Sequence, residues 1–426
     1  MWETFQKIWK IKDVRQNILI VVGLLVIFRI VAHIPVPGVD VVALRDFLSG
    51  GQQMFQLLDI FSGGTVKNFS LIMLGVAPYI TSSIIFQLLT MIVPKLEEMS
   101  KEGEGGRQKI NMYTRWLTVP LAFIQSYAMI KLLSTSARSI LPTNFSNFDM
   151  LIIMVSITAG TMFLVWLGEL ISERKVGNGI SLLIFAGIVS ALPTSLGQVV
   201  VNYNTGSFYT LLMFAVLTIL TVVGVVFINE GQRQIPVNYA KQMHGNKTYG
   251  GSSTHLPLRV NMAGVIPIIF AISLVMMPPM IAQFFVNAKA IWLKEFAYFI
   301  IGLFQNQTFY GLFYFLLVFG FTFFYTSVVF NPQKIAENLQ KQGGFVPGIR
   351  PGKETEGYLQ KTVNRINLVG ASFLGMIAIL PLLLQAIIGS RSLTIGGTSL
   401  LIVVAVAIET YKQIDSQVTM HQYDHL

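Results

Sequence analysis

Apolar residues in this chain gather in runs of roughly 20, and few folds accept runs of that length. Coiled as helix, such a run crosses the ~30 Å hydrocarbon core of a bilayer. A buried strand needs far fewer residues. Composition agrees: 53% of the residues are hydrophobic and 12% charged, against about 25% charged in an ordinary soluble domain. The pattern predicts an all-α polytopic membrane protein. Its ten spans fall near residues 17–34, 69–93, 112–133, 148–171, 179–200, 208–229, 262–285, 307–330, 367–388 and 393–411. Trp116, Trp166, Tyr298, Tyr310 and Tyr411 lie near span ends, where amphipathic rings favour the membrane–water boundary. Residues 1–16 are polar and basic and lead straight into the first run, which reads as an uncleaved anchor.

The basic residues orient these spans. Of 30 Lys and Arg, 22 fall in residues 1–16, 94–115, 172–178, 230–261, 331–366 and the tail 412–426, while 7 fall in the opposite set of loops and Arg29 alone lies inside a span. The positive-inside rule then puts both termini in the cytoplasm. An even number of spans requires the same. Two of the basic loops also carry apolar residues: Val237, Tyr239, Tyr249 and Leu256 in one, Phe345, Val346, Pro347, Ile349 and Tyr358 in the other. That mixture fits either a docking surface or an anchor in lipid headgroups. On the opposite side, residues 55–69 are moderately apolar, too short to span, and broken at Gly63-Gly64. They read as a re-entrant segment lining or packing inside the protein, or as an amphipathic turn at the outer interface.

Little in the chain supports catalysis. With no cysteine there is no thiolate chemistry, disulfide or Cys-ligated metal. The five histidines, His33, His244, His255, His421 and His425, all lie outside the middle of the membrane. Neither a His-Glu-x-x-His zinc site nor a phosphate-binding loop is present. Gly370-Ala371-Ser372 has no intramembrane histidine to serve as its base. No catalytic residue, metal site or cofactor is therefore expected. Ion-coupled transport usually needs ionisable groups at mid-membrane depth. Here Glu169, Glu173, Glu409 and Lys131 sit at span ends.

The membrane core does hold a repeated break. Gly75-Val76-Ala77-Pro78 interrupts the second span and Gly264-Val265-Ile266-Pro267 the seventh. Read as proline kinks, they leave carbonyls near Leu74 and Ala263 in need of partners. The seventh span is the second of its half, and a repeat of five spans must be inverted in the membrane. Breaks at matching positions of inverted halves point to a working site at their interface. The expected organisation is two five-helix halves, residues 1–200 and 208–411, joined by a hinge at 201–207 and followed by the tail. The path between them is lined by apolar groups, which suits a constriction that gates by dewetting. Two classes remain open: a channel for varied cargo, or an inverted-repeat secondary transporter of a small solute.

Longer strings narrow the choice. IPVPG (34–38), FSGG (61–64), PYITSSII (78–85), EGEGGR (102–107), TMFLVWLGE (161–169), GNGISLLIFAGIV (177–189), VNYAK (237–241), STHLPLRVNMAGVIP (253–267), GGFVPGIRPG (343–352) and GGTSLLIVV (396–404) occur in this order. In these strings the chain resembles, over nearly its whole length, the SecY family, the central subunits of the Sec protein-conducting channel. The resemblance implies a clamshell of two five-helix halves around a pore that passes unfolded secretory chains and releases membrane segments sideways into lipid. It implies a pore ring of Val76, Ile80, Ile180, Ile184, Ile269 and Ile402, and a plug at about residues 54–67 that includes Phe61, Ser62, Gly63 and Gly64. The lateral gate would run near Thr81, Gln87 and Met277. Docking would use Arg233, Lys241, Lys247, Arg259 and, above all, Arg350. The implied partners are the small membrane subunits SecE and SecG, the ATPase SecA, the ribosome (with ribosomal RNA the only nucleic acid), signal peptides, nascent chains and membrane lipids. The implied location is the bacterial cytoplasmic membrane.

Overall fold

The computed structural model describes residues 9–36, 64–66, 68–134, 146–201, 208–239, 242–244, 247–249, 253–286, 288–388 and 397–423. In chain order the helices are α1 (Lys12–Val31), α2 (Ala77–Ile92), α3 (Pro94–Lys101), α4 (Glu104–Ser134), α5 (Asn147–Glu173), α6 (Gly179–Val201) and α7 (Phe208–Glu230). Four strands follow: β1 (Gln232–Tyr239), β2 (Gln242–His244), β3 (Lys247–Tyr249) and β4 (Ser253–Arg259). The chain closes with α8 (Ile266–Phe285), α9 (Ile291–Gln305), α10 (Gln307–Val329), α11 (Pro332–Lys341), β5 (Gly344–Phe345), α12 (Lys353–Ile388) and α13 (Gly397–Tyr423).

Helix covers part of every stretch expected to span. Among the described residues, Lys12–Val31, Asn147–Glu173, Ile266–Phe285, Gln307–Lys341 and Lys353–Leu380 are long and apolar enough to cross a membrane. Local chemistry fixes several helix starts. Ser146 caps α5 in a capping box with Asp149. Asn306 accepts from Thr308 N and Phe309 N to start α10. Pro94 opens α3, which turns away from α2 by 101°. Large apolar side chains face outward along the helices: Leu19, Val22, Val26 and Ile30 on α1, Ile219, Val223 and Phe227 on α7, Leu312 and Leu316 on α10. Such surface is a liability in water and the expected finish against lipid. One buried cluster joins α1, α2, α5, α6, α8, α10, α12 and α13.

Three expectations need correction. The chain is mostly helical rather than all-α. β1 is the centre of a three-stranded sheet ordered β4-β1-β5, with Ile235 opposite Leu256 and Asn238 opposite both Ser253 and Phe345. The two apolar-and-basic loops are therefore one folded unit. Ile235, Val237, Leu258, Leu339, Val346, Leu359, Val363 and Ile366 form its own buried cluster, with Tyr239, Leu256, Ile349 and Tyr358 packed on it. Most of the apolar residues that suggested a docking surface are this core, while Phe345 stays partly exposed. Part of the expected tail, residues 412–426, is helix packed on the rest of the protein. α13 continues to Tyr423 and is held by Lys412 to Glu230 at 2.8 Å, by Gln417 Nε2 donating to Lys175 O at 2.6 Å, and by Val418 against Val14. Finally, Tyr310 is buried and its hydroxyl has no partner among the described residues, so it is a core residue and not an interfacial anchor.

Candidate functional site

The repeated Gly-Val-x-Pro sequence is a helix start, not a mid-helix kink, and it is built twice in the same way. Residues 71–76 are turns, and α2 begins only at Ala77. Gly75 has φ 57° and Gly264 φ 63°, the left-handed region where a side chain would be strained. Val76 and Val265 are the N-cap residues, and Pro78 and Pro267 fall at the second position of their helices. There a missing N–H costs nothing, because the first-turn donors have no intrahelical acceptor. Of the carbonyls expected to be stranded, Leu74 O accepts from Ala77 N at 3.3 Å; next to Ala263, Gly264 O accepts from Asn261 Nδ2 at 3.1 Å. Counting from each start, Ile80 and Ile269 are both the fourth helical residue. Their N–H groups close the first turn onto Val76 O at 3.0 Å and Val265 O at 3.3 Å.

Two cavities meet at this level. One, about 210 Å³, is almost wholly apolar and lies between α2, α4, α6 and α8. The other, about 650 Å³, is half polar, and its lining includes Gln108, Asn111, Arg115, Glu169, Glu173 and Asn178. Ile80 lines both. Val76 and Ile184 line the apolar cavity, Ile180 and Ile269 the polar one. Ile402 is fully buried in the same cluster and lines neither. Val76, Ile80, Ile184 and Ile269 are also buried. The layer between the cavities thus offers methyl groups and no hydrogen bonds.

The three residues expected at a lateral gate do not share one environment. α8 packs against both α2 and α4. Thr81 and Met277 line the apolar cavity from opposite helices, and Thr81 gives its hydroxyl to Ala77 O at 3.0 Å, so it offers no free donor to the cavity. Gln87 lines the polar cavity instead. Its Nε2 donates to Ser83 Oγ at 3.3 Å, and its buried Oε1 has no partner among the described residues. Sequence reasoning missed the charges of this polar cavity. Arg115 of α4 and Glu169 of α5 pair at 3.1 Å, although one reads as a loop base and the other as a span end. The spacing of two residues 54 apart carries no signal of such a pair. Among the described residues no group of three His, Asp or Glu gathers as a metal site.

Phe61, Ser62 and Gly63 of the expected plug lie outside the described residues. Gly64 (φ 80°) is described, and beyond it the chain goes inside: Thr65, Val66, Phe69, Ser70, Ile72 and Met73 are all fully buried. Ser70 Oγ donates to Val31 O at 3.0 Å, Val36 N to Phe69 O at 2.8 Å, and Leu71 N to Ile34 O at 3.1 Å. This backbone is pressed so closely on α5 that a Cβ at Gly160 would lie 2.1 Å from Leu71 O. Of the residues expected to dock partners, Arg233 and Arg259 are exposed on β1 and β4. Arg350 is exposed beyond β5, with its carbonyl held by the Thr355 hydroxyl at 2.9 Å. Lys241 lies outside the described residues, and Lys247 is placed in β3 only by its backbone.

The SecY family model matches residues 70–411. The protein translocase subunit SecY of Staphylococcus epidermidis is 44% identical over 99% of each chain, and that of Corynebacterium glutamicum 43% identical over 98% of each. Among solved structures the fold is similar to a protein-conducting channel (TM-score 0.60, 17% identity, 92% of this chain and 90% of that one). It is also similar to Sec61 in the canine ribosome–channel complex (TM-score 0.59, 16% identity, again 92% and 90%).

Proposed function

Since the chain belongs to the SecY family, we propose that the isoleucine layer around Ile80 is the seal of its protein-conducting channel and the α2–α8 seam its exit to lipid. The chain is a membrane-embedded translocase subunit and not an enzyme; the solute-transporter reading has no support among its relatives. The observation that carries the proposal is that Ile80 lines an apolar cavity on one side and a half-polar one on the other. A polypeptide entering the polar cavity meets Arg115, Glu169 and Asn178, groups that keep water in place. To go further it must part Ile80, Ile180 and Ile269, with Val76 and Ile184 beyond and Ile402 behind them. Branched apolar side chains reseal by dispersion contact and offer a passing chain nothing to bond with.

On this reading α2 and α8 are equivalent walls from two inverted five-helix halves, residues 1–200 and 208–411; of the expected hinge at 201–207, residues 202–207 lie outside the described residues. The matched starts at Ala77 and Ile266 support that symmetry. A signal peptide would part the seam at Thr81 and Met277, and the apolar cavity there offers its hydrophobic stretch a surface of like polarity. Gln87, one cavity away, would sit at the mouth. The plug, at about 54–67, would close the channel from the far side of the seal. The sheet that joins the two basic loops would present Arg233, Arg259 and Arg350 to the cytoplasm, where SecA and the ribosome supply the work. SecE and SecG would complete the complex in the bacterial cytoplasmic membrane, with both termini cytoplasmic. The test is disulfide crosslinking of a cysteine-bearing signal peptide to Thr81→Cys and Met277→Cys, single sites in a chain without cysteine. Crosslinks at both sites are expected. Crosslinks at neither, in a complex that still translocates, would move the exit elsewhere.

A further inference from the structure

Helix α9 has no place in the sequence reading, and its surface is divided in three. One face is packed: Ala297 is buried against Ala282 and Val286 at the end of α8, with Ile300 and Ile301 beside them. A second face is apolar yet open. Trp292 is 69% exposed, Phe296 57% and Phe299 62%, and together with Leu303 they stand at i, i+4, i+7 and i+11, which is one stripe of a helix. The third face carries Lys294, Glu295, Tyr298 and Gln305, all exposed. A helix with its apolar stripe open to the outside and its charges on an adjacent face suits a boundary between hydrocarbon and water.

Its place in the chain gives the same answer. α9 joins α8 to α10, both long and apolar enough to cross a membrane, and a helix of 15 residues reaches only about 22 Å. It cannot cross, so it must lie where α8 leaves and α10 enters, on the side opposite the sheet. The join to α10 is the single residue Asn306, and Phe304 packs edge-on to Phe309 and Phe313 at 5.6 Å each. That end is thereby fixed, and the open stripe continues the outward apolar surface of α8 and α10, where Phe285 and Leu312 are exposed.

We propose that α9 is a membrane-surface helix whose Trp292–Phe296–Phe299–Leu303 stripe docks in the headgroup–acyl boundary of that leaflet and tethers the outer end of α8 to lipid. The tether matters because α8 carries Met277 and Met280 on the apolar cavity a few residues before the Ala282–Val286 contact with α9, and Phe284 on that cavity within it. Lipid that holds α9 holds the gate wall closed. The docking half stands on α9 alone, while the tether half rests on α8 being a wall of the gate.

The experiment places an environment-sensitive fluorophore at Phe296→Cys or Lys294→Cys in the full complex, reconstituted in phosphatidylethanolamine–phosphatidylglycerol vesicles. The Phe296 probe should be quenched by lipid spin-labelled near the headgroup and shielded from aqueous iodide, the Lys294 probe the reverse. Two probes equally open to iodide, or a Phe296 probe shielded from both quenchers by a neighbouring subunit, would overturn lipid docking. For the tether, Phe296→Asn with Phe299→Asn should raise signal-peptide crosslinking at Met277→Cys about threefold, as an unanchored wall opens more readily, and Phe296→Leu with Phe299→Leu should leave it at the parental level. Parental crosslinking in the Asn variant would refute the tether while leaving the gate intact, and no crosslinking in the parent would refute the gate itself.

Discussion

Replacing Ile80 by Asn probes the seal at the one residue that, among the described residues, lines both cavities. Ile80 is 6% exposed. Its burial contributes about 2 kcal/mol that Asn does not recover, and an amide with no partner in the layer costs a further 1–3 kcal/mol or so. Both penalties fall on the dry, closed state and are relieved when water enters. If half of the combined cost separates the two states, the closed-to-open ratio drops by about 2 kcal/mol, or ~30-fold. Planar-bilayer recording of the purified complex should show a resting ion leak absent from the parent. Ile402→Asn is the comparison: Ile402 is fully buried and lines neither cavity, so its amide should lower thermal stability more than it raises leak. Parental conductance in a folded Ile80→Asn complex, or an equal leak from Ile402→Asn, would refute the reasoning.

Two further outcomes follow from the geometry. Gly160→Ala puts a Cβ against the Leu71 carbonyl, and since backbone must yield, stability should fall by about 2 kcal/mol; thermal unfolding in detergent checks it, with Gly197→Ala, which meets nothing within 4 Å, as the neutral control. Arg350→Glu reverses the charge on an exposed turn without touching the core. It should slow SecA-driven translocation in inverted vesicles while the protein inserts normally, and unchanged kinetics would remove Arg350 from docking.

The helical architecture was legible because lipid leaves a backbone few options: runs of apolar residues mark where helix falls, as at Lys12–Val31 and Asn147–Glu173. The repeated Gly-Val-x-Pro stands out in the sequence, but its helix-start geometry does not. Proline is as much at home in the first helical turn as it is disruptive further in, and only the φ of Gly75 and Gly264 separates the two cases. The sheet escaped notice because β1 and β5 are more than a hundred residues apart and pair over only two positions, Asn238 and Tyr239. Val237 and Val346 therefore looked like surface residues. α9 escaped for the opposite reason: at 15 residues it is too short for a span, and its stripe is obvious only once Ala297 is seen to face α8. The Arg115–Glu169 pair depends on α4 lying against α5, which no local pattern encodes.

The central claim is that a translocating chain passes through the layer at Ile80. The direct measurement stalls a secretory protein partway through the complex and forms disulfides from one cysteine in its translocating stretch to single cysteines in the channel. The account predicts strong adducts at Ile80→Cys, Ile180→Cys and Ile269→Cys, which line the two cavities, and none at Ile219→Cys or Leu312→Cys, whose side chains face outward. Adducts at the outward positions as strong as those at Ile80, or none at Ile80 while translocation proceeds, would contradict it.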